Sequence, residues 1–284
     1  MTESSTTTIP GVGLNNGVEI PQLGFGVFQI KPEDTVAAVT TAFEVGYRHI
    51  DTAEMYGNEK EVGQAIARSD LDRADVFVTS KLNNGFHAYD DALTAFDQTL
   101  EDLGLEQIDL FLIHWPLPAV GDYVETWRAL EKIYADGRAR SIGVSNFQPH
   151  HLRRLHEETT VSPAVNQIEV HPYLTQTELL AFDAEHGIAT EAWSPIAQGG
   201  VLGDPVITNL ARTYGKSPAQ VVLRWHIQLG NIVFPKSTTP SRVKENFEIF
   251  DFELSDPDMG LISALNTDER TGPNPDEFNY VPGK

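Results

Sequence analysis

The chain has 284 residues, 40% of them hydrophobic, and its 41 acidic and 20 basic residues give a formal net charge of −21. That acidity opposes binding to nucleic acid or to an anionic membrane and favours a heavily solvated surface. No cysteine is present, which excludes a disulfide framework, a thiolate zinc site and a thiol nucleophile, and suits a reducing cytoplasm.

The first residues, "MTESSTTTIP", are polar and lack an apolar signal core. Residues 1–8 are therefore expected to be a disordered tail on an unexported, cytoplasmic protein, with no run apolar enough for a membrane span. Next, "IPGVGLNNGVEIPQLG" sets two short apolar runs around Asn16-Gly17, a hairpin signal. From there β-type runs alternate with amphipathic helical patterns. The predicted strands are 23–27, 49–52, 76–82, 108–115, 140–146, 164–170, 188–194 and 232–237. Apolar, β-branched runs of this length suit parallel strands buried on both faces. The predicted helices are 33–45, 59–68, 90–103, 123–135, 148–157, 176–186, 206–214, 218–229 and 241–247. Asn58 with Glu61 three residues on reads as a capping box, and Ser217-Pro218 as a helix start. Residues 266–284 are rich in turn formers and read as an irregular tail crossing the surface.

Alternating β and α units in a chain of this length point to one α/β domain over residues 9–284. Its expected fold is a single (β/α)8 TIM barrel, with the N-terminal β-hairpin capping the barrel bottom. A doubly wound sheet is the runner-up, but no G-x-G-x-x-G run precedes a helix.

In such a barrel, chemistry collects where strand C-termini meet the following loops. The second strand brings Asp51 and, on its loop, Tyr56. The third ends with Lys81, and the fourth with His114 and Trp115. The fifth gives Ser145 and Asn146, the sixth Asn166, Gln167, Glu169 and His171, the seventh Trp193 and Ser194, and the eighth Lys236 and Ser237. Singly, each has a plain structural explanation, such as a surface lysine, a packed tyrosine or a satisfied core histidine. An acid, a phenol, an amine and an imidazole converging on one mouth raise the functional reading.

That quartet has a coherent chemistry. A phenol has an ordinary pKa of about 10, and a nearby ammonium favours the phenolate and pulls the value down. Asp51 can hold Lys81 charged, His114 can orient a substrate oxygen, and Tyr56 then serves as general acid to a developing alkoxide. An alkoxide develops when hydride reaches a carbonyl carbon, and side chains supply no hydride, whereas a nicotinamide cofactor does. Two other readings remain. One is a metal-dependent hydrolase using His49, Asp51, His114 and His171, although an amine and a phenol beside a metal serve no clear purpose; no metal is expected. The other is a non-catalytic nucleotide-sensing subunit. The pair His150-His151 is expected to face solvent at a helix start.

Several motifs now resemble one family. "HIDTAEMYGNE", "IDLFLIHWP", "SIGVSNF", "AVNQIEVHP", "EAWSPIAQGG" and "IVFPKSTTPSRVKENFEIFDFEL" recur in the order seen in aldo-keto reductases, most nearly the bacterial 2,5-diketo-gluconate reductase group. The resemblance runs from about residue 9 to residue 266. It implies a monomeric barrel that uses NADPH to reduce aldehydes and ketones. It assigns the catalytic tetrad to Asp51, Tyr56, Lys81 and His114, with Tyr56 the proton donor. Nicotinamide amide contacts fall on Ser145, Asn146 and Gln167, and the stacking aromatic on Trp193. Pyrophosphate-covering residues fall on Ser194, Ile196 and Gln198, the 2′-phosphate contacts on Lys236, Ser237, Thr238 and Arg242, and adenine contacts on Glu245 and Asn246. Substrate contacts fall on Phe28, Asn83, His114 and Trp115. One departure matters: where the family commonly reads Lys-Leu-Trp, this chain reads "KLNNG", so Asn83 replaces an aromatic wall and a wider or more polar pocket is expected.

Overall fold

The computed structural model describes residues 9–283, so the tail expected at 1–8 lies outside the described residues. The chain opens with a hairpin, β1 (Gly11–Gly13) paired antiparallel with β2 (Glu19–Pro21). Eight parallel strands follow: β3 (Phe25–Gly26), β4 (His49–Asp51), β5 (Phe77–Leu82), β6 (Ile108–Ile113), β7 (Ala139–Ser145), β8 (Val165–Glu169), β9 (Ala189–Trp193) and β10 (Ile232–Val233). They pair in chain order, and a parallel bridge between Leu23 and Val233 joins the last strand to the first. The helices are α1 (Pro32–Val45), α2 (Glu59–Arg68), α3 (Tyr89–Leu103), α4 (Tyr123–Ala135), α5 (Pro149–Glu158), α6 (Thr177–Glu185), α7 (Pro205–Tyr214), α8 (Pro218–Gln228), α9 (Pro240–Phe247) and α10 (Asp256–Ser263). The expected (β/α)8 barrel is formed, and the doubly wound alternative is excluded.

The alternation of side chains along each strand builds two environments. Outward-facing Ile50, Val78, Phe111, Ile142, Val144 and Ile168 pack against the helices in the main core. At the bottom of the interior, Phe77, Leu110, Leu112, Val165 and Ile232 cluster with Leu14 and Ile20 of the hairpin region. Asn15 Nδ2 donates to the Pro163 carbonyl at 2.9 Å, and Asn16 Nδ2 to the Arg140 carbonyl at 3.0 Å. The hairpin thus plugs the N-terminal end. Higher in the barrel the interior turns polar, with His49, Asp51, Thr79, Lys81, Gln167 and Glu191 all buried. The seam between β3 and β10 is narrow: a Cβ on Gly26 would lie 2.6 Å from the Phe234 carbonyl oxygen, so only glycine lets the backbones approach there.

The structure corrects the sequence reading in four places. The strands expected at 23–27 and 232–237 shrink to two residues each; beyond Val233 the Pro235 carbonyl still accepts from Gly26 N at 3.4 Å, but Pro235 has no N–H to donate. The capping box at Asn58 does not form. Asn58 is instead buried, donating to the carbonyls of Val27 and Ile30 and accepting from Thr52 Oγ1 at 3.0 Å. It ties the loops after β3 and β4 together, adding a second bond to the Val27 carbonyl, which also accepts from Ile30 N at 3.0 Å. His151 is buried, not solvent-facing: its Nδ1 accepts from Gln148 N in a capping box that its own helix needs. Finally, α10 was not expected; its start lies in Ser255, whose Oγ accepts from Asp258 N. The box at Ser217 is present, completed by Gln220.

Candidate active site

Asp51 ends β4, Lys81 is next to last in β5, and His114 follows β6, so three adjacent strands aim them at the C-terminal mouth. Tyr56 arrives on the turn Glu54–Tyr56 between β4 and α2. Lys81 Nζ lies 2.8 and 3.0 Å from the two Asp51 oxygens, 2.8 Å from the Thr52 carbonyl and 3.4 Å from Tyr56 Oη. The Tyr56 ring sits edge-on to His114, centroids 5.8 Å apart, and against Phe28 at 5.0 Å. Because Lys81 donates to Oη, the phenolic hydrogen is left to point into the mouth.

The protonation states follow from burial and charge. Burial works against the Lys81 cation, but the Asp51 carboxylate and the Tyr56 oxygen outweigh it and hold the ammonium above its ordinary value. His114 is pushed well below its ordinary value by burial and by the Lys81 charge, so it is a neutral imidazole. For Tyr56 the sequence expectation is corrected in sign: burial raises the phenol, and although Lys81 pulls it down as expected, burial wins. Tyr56 is therefore a neutral phenol at ordinary pH.

Around this quartet lie the other residues singled out from the sequence. Ser145 Oγ donates to the Gln167 carbonyl at 2.8 Å. Asn146, in the left-handed region at φ 65°, donates to the His114 carbonyl at 3.0 Å and accepts from Trp193 Nε1 at 2.8 Å. Gln167 Nε2 donates to Asp51 at 2.8 Å. Ser194 and Gln198 also adopt positive φ, with Ile196 between them, folding that loop over the β9 end. Further round, Lys236, Thr238 and Arg242 are exposed at the start of α9, and Ser237 is buried among them with its Oγ accepting from Thr239 N. Among the described residues, Lys236 and Arg242 have no carboxylate within 4 Å, whereas Lys244 faces Glu248 at 3.7 Å. Glu245 is engaged by Ser217 Oγ at 2.5 Å, and Asn246 is buried beside it.

Asn83 and Trp115 border the mouth. Asn83 Oδ1 accepts from Gly85 N at 3.0 Å and its amide faces Glu54. Trp115 is covered by Phe278 of the C-terminal segment, ring centroids 4.3 Å apart. Sequence reasoning missed this cover. The segment is strapped across the mouth: Glu169 accepts from Thr271 N at 2.6 Å and from Gly272 N at 3.2 Å, and Asn84 Nδ2 donates to the Tyr280 carbonyl. A Cβ on Gly272 would lie 2.4 Å from the Trp193 ring. The composition of this stretch signalled a loop but not where it lands.

The metal constellation considered from the sequence does not assemble. His49 is pushed down to about 3 by burial and bonds Thr79 Oγ1 at 3.1 Å, while His171 pairs with Glu169 at 3.1 Å. One group of metal-capable atoms does meet among the described residues, His150, His151 and Asp276. The cap bond received by His151 Nδ1 leaves the neutral ring's proton on Nε2, which faces Asp276 at 3.6 Å. His150 Nε2 lies 3.2 Å from the same carboxylate, so Asp276 sets the C-terminal segment against the start of α5.

A phenol, an ammonium, a carboxylate and a neutral imidazole thus meet at one barrel mouth, and comparison with known proteins gives the family. The profile of the Aldo/keto reductase family matches residues 22–267. An aldo-keto reductase of Mycolicibacterium smegmatis is 54% identical over 96% of this chain and 99% of its own length. Glyoxal reductase of Bacillus subtilis is 50% identical over 95% and 97%, and methylglyoxal reductase DkgA of Escherichia coli 48% identical over 94% and 97%. The structure of a Bombyx mori aldo-keto reductase in complex with NADP superposes with a TM-score of 0.90 at 38% identity, covering 97% and 98% of the two chains. This chain belongs to the aldo/keto reductase family, whose members are oxidoreductases acting on carbonyl groups.

Proposed function

We propose that the protein is an NADPH-dependent reductase that converts aldehydes and ketones to alcohols with Tyr56 as general acid. The observation that carries this is Lys81 Nζ, bound to both Asp51 oxygens and reaching Tyr56 Oη at 3.4 Å beside a neutral His114. A bound nicotinamide cofactor supplies the hydride for the carbonyl carbon. His114 donates a hydrogen bond to the carbonyl oxygen and aligns it against Tyr56. The Tyr56 O–H gives its proton to that oxygen as negative charge develops, and the Lys81 ammonium stabilises the phenolate left behind. Asp51 keeps Lys81 charged in a dry site where a lone cation would lose its proton.

The residues present fit NADPH. Gln167 Oε1 makes no hydrogen bond to the described residues, and Trp193 offers a half-buried ring anchored through its indole N–H. Lys236 and Arg242 are exposed cations left unpaired on a chain of net charge −21, which suits a 2′-phosphate better than a free ribose. Ser145, Asn146, Ser194, Ile196, Gln198, Ser237, Thr238, Glu245 and Asn246 complete the proposed contacts. Arg242→Ala is expected to raise KM for NADPH about tenfold, the loss of an exposed charge-assisted pair. KM for NADH should stay within about twofold; equal changes in both would remove the 2′-phosphate assignment. The enzyme we propose is monomeric and cytoplasmic, formed by the single domain 9–284.

The substrates we propose are small carbonyl compounds, dicarbonyls, keto sugars and aromatic aldehydes, bounded by Phe28, Asn83 and Trp115. Relatives named for glyoxal and methylglyoxal reduction support the dicarbonyl class. Asn83→Trp should narrow the mouth, lowering kcat/KM for branched or aromatic aldehydes roughly tenfold while leaving methylglyoxal nearly unchanged. A uniform effect across substrate sizes would contradict the wall assignment. The overall test is a panel of carbonyl compounds followed by NADPH absorbance, with NADH as control; no turnover of any of them would overturn the proposal.

A further inference from the structure

Below the quartet lies a carboxyl group that the proposed reaction does not use. Glu191, on β9, points into the barrel and is fully buried. Its Oε2 accepts from Gln167 Nε2 at 2.7 Å, while the same nitrogen donates its other hydrogen to Asp51 Oδ2 at 2.8 Å. Its Oε1 has no hydrogen-bond partner. One amide group thus bridges two carboxyl groups, one of them the acid that holds Lys81.

We propose that Glu191 is a positioning residue of the cofactor site: with Asp51 it clamps the Gln167 amide so that the amide oxygen is turned up to the barrel mouth, and it does so as a neutral acid. The inference rests on the nicotinamide assignment of Gln167 made above.

The geometry requires each part. An amide nitrogen has two hydrogens and no lone pair to offer, so two carboxyl oxygens at 2.7 and 2.8 Å consume both donors. The amide oxygen is then the only group left to Gln167, and it is free to accept from a carboxamide. The neutral state follows from the lack of a cation. Lys81 Nζ is committed to both Asp51 oxygens, the Thr52 carbonyl and Tyr56. His49 comes nearest on the other side, its Nε2 3.8 Å from Glu191 Oε1, and burial keeps that imidazole neutral. β10, the other neighbour of β9, sets Ile232 opposite Glu191. Two anions bridged by one amide beside a single ammonium cannot both be tolerated in a dry interior. In agreement, burial and the Asp51 charge push the Glu191 carboxyl up to about 8.

A consequence can be measured without turnover. Above about pH 8, Glu191 ionises and adds a negative charge beneath the nicotinamide site. That charge favours the positively charged oxidised ring over the neutral reduced one.

The experiment is a titration of NADPH and NADP+ binding by quenching of tryptophan fluorescence from pH 6.5 to 9.5, for the wild type, Glu191→Gln and Glu191→Leu. In the wild type, affinity for NADP+ relative to NADPH should rise through about pH 8. Glu191→Gln keeps an oxygen acceptor for Gln167 and should hold NADPH within about twofold at pH 7, with that pH step gone. Glu191→Leu strands one N–H and should weaken NADPH roughly three- to tenfold, the worth of one hydrogen bond. A pH step that survives in Glu191→Gln overturns the proposal, as does unchanged NADPH affinity in a folded Glu191→Leu. If Glu191→Leu does not fold, as judged by circular dichroism, the Glu191→Gln profile still decides. A wild type that binds neither nucleotide would defeat the cofactor reading itself, a different outcome from binding that ignores Glu191.

Discussion

Tyr56→Phe is expected to lower kcat for carbonyl reduction by roughly 10²- to 10⁴-fold, the usual contribution of a positioned general acid, while NADPH binds with wild-type affinity. The ring stays in its contacts with Phe28 and His114, so the fold and the pocket walls are preserved and only the O–H is lost. Because Tyr56 is partly exposed and Lys81 keeps Asp51 and the Thr52 carbonyl as partners, little stability should be lost with it. Steady-state rates and fluorescence titration on the same preparation check both halves. A variant that reduces aldehydes at the wild-type rate would show that the proton comes from elsewhere, with His114 the next donor in reach.

Lys81→Met should be costly twice over. The ammonium lies in the barrel with no exposure, and its removal leaves the Asp51 carboxylate buried with only the Gln167 N–H as a partner. Breaking a buried pair in this way typically destabilises by about 3–5 kcal/mol, to be read from urea denaturation. Activity should fall as well, because no cation remains to stabilise the tyrosinate. The double variant Lys81→Met with Asp51→Asn removes both charges and should recover part of the stability and none of the activity. Recovery of both would mean that the pair is structural only. The pH dependence expected of Lys81 differs from that of Glu191. A lysine held above its ordinary value contributes stability that is fully present below its unfolded pKa of about 10.4 and is lost as pH rises through the higher folded value. Between pH 6.5 and 9.5 the Lys81 contribution to stability is therefore nearly flat, and loss of the binding step in Glu191→Gln is what assigns that step to Glu191.

Parts of the site were legible because strand ends carry their own signal. Asp51, Lys81, His114, Ser145, Gln167 and Trp193 each interrupt or end an apolar run, and a parallel barrel sends all such ends to one face. Knowing the period and the direction of the strands was enough to collect them. Tyr56 was harder, since it lies on a turn, and it was found through the spacing within "HIDTAEMYGNE" rather than through a strand pattern. The sign of its acidity was misread for a physical reason: the sequence shows that a lysine is available, but not how dry the phenol becomes, and burial outweighed the charge.

Other features depended on contacts between distant segments. Asn58 has the local pattern of a helix cap, yet it bonds carbonyls 28 and 31 residues away. His151 looks like half of a surface pair, but its ring is turned inward to cap its own helix. The tail from 266 onward has the composition of a loop, and nothing in it announces that Phe278 will cover Trp115 or that Gly272 will lie against Trp193. Glu191 was passed over as one polar residue inside a strand.

The order of elements, the barrel and its hairpin plug, and the residues that face the mouth are set by periodicity and by the direction of parallel strands, which are local properties of the chain. Which of those residues hold a proton is not local. It depends on how completely water is expelled and on which charges meet across the barrel: Asp51 from β4, Lys81 from β5, Gln167 from β8 and Glu191 from β9. Only the closed fold brings them within 3 Å of one another's hydrogen-bonding atoms, and only there do two carboxyl groups share one amide beside a single ammonium.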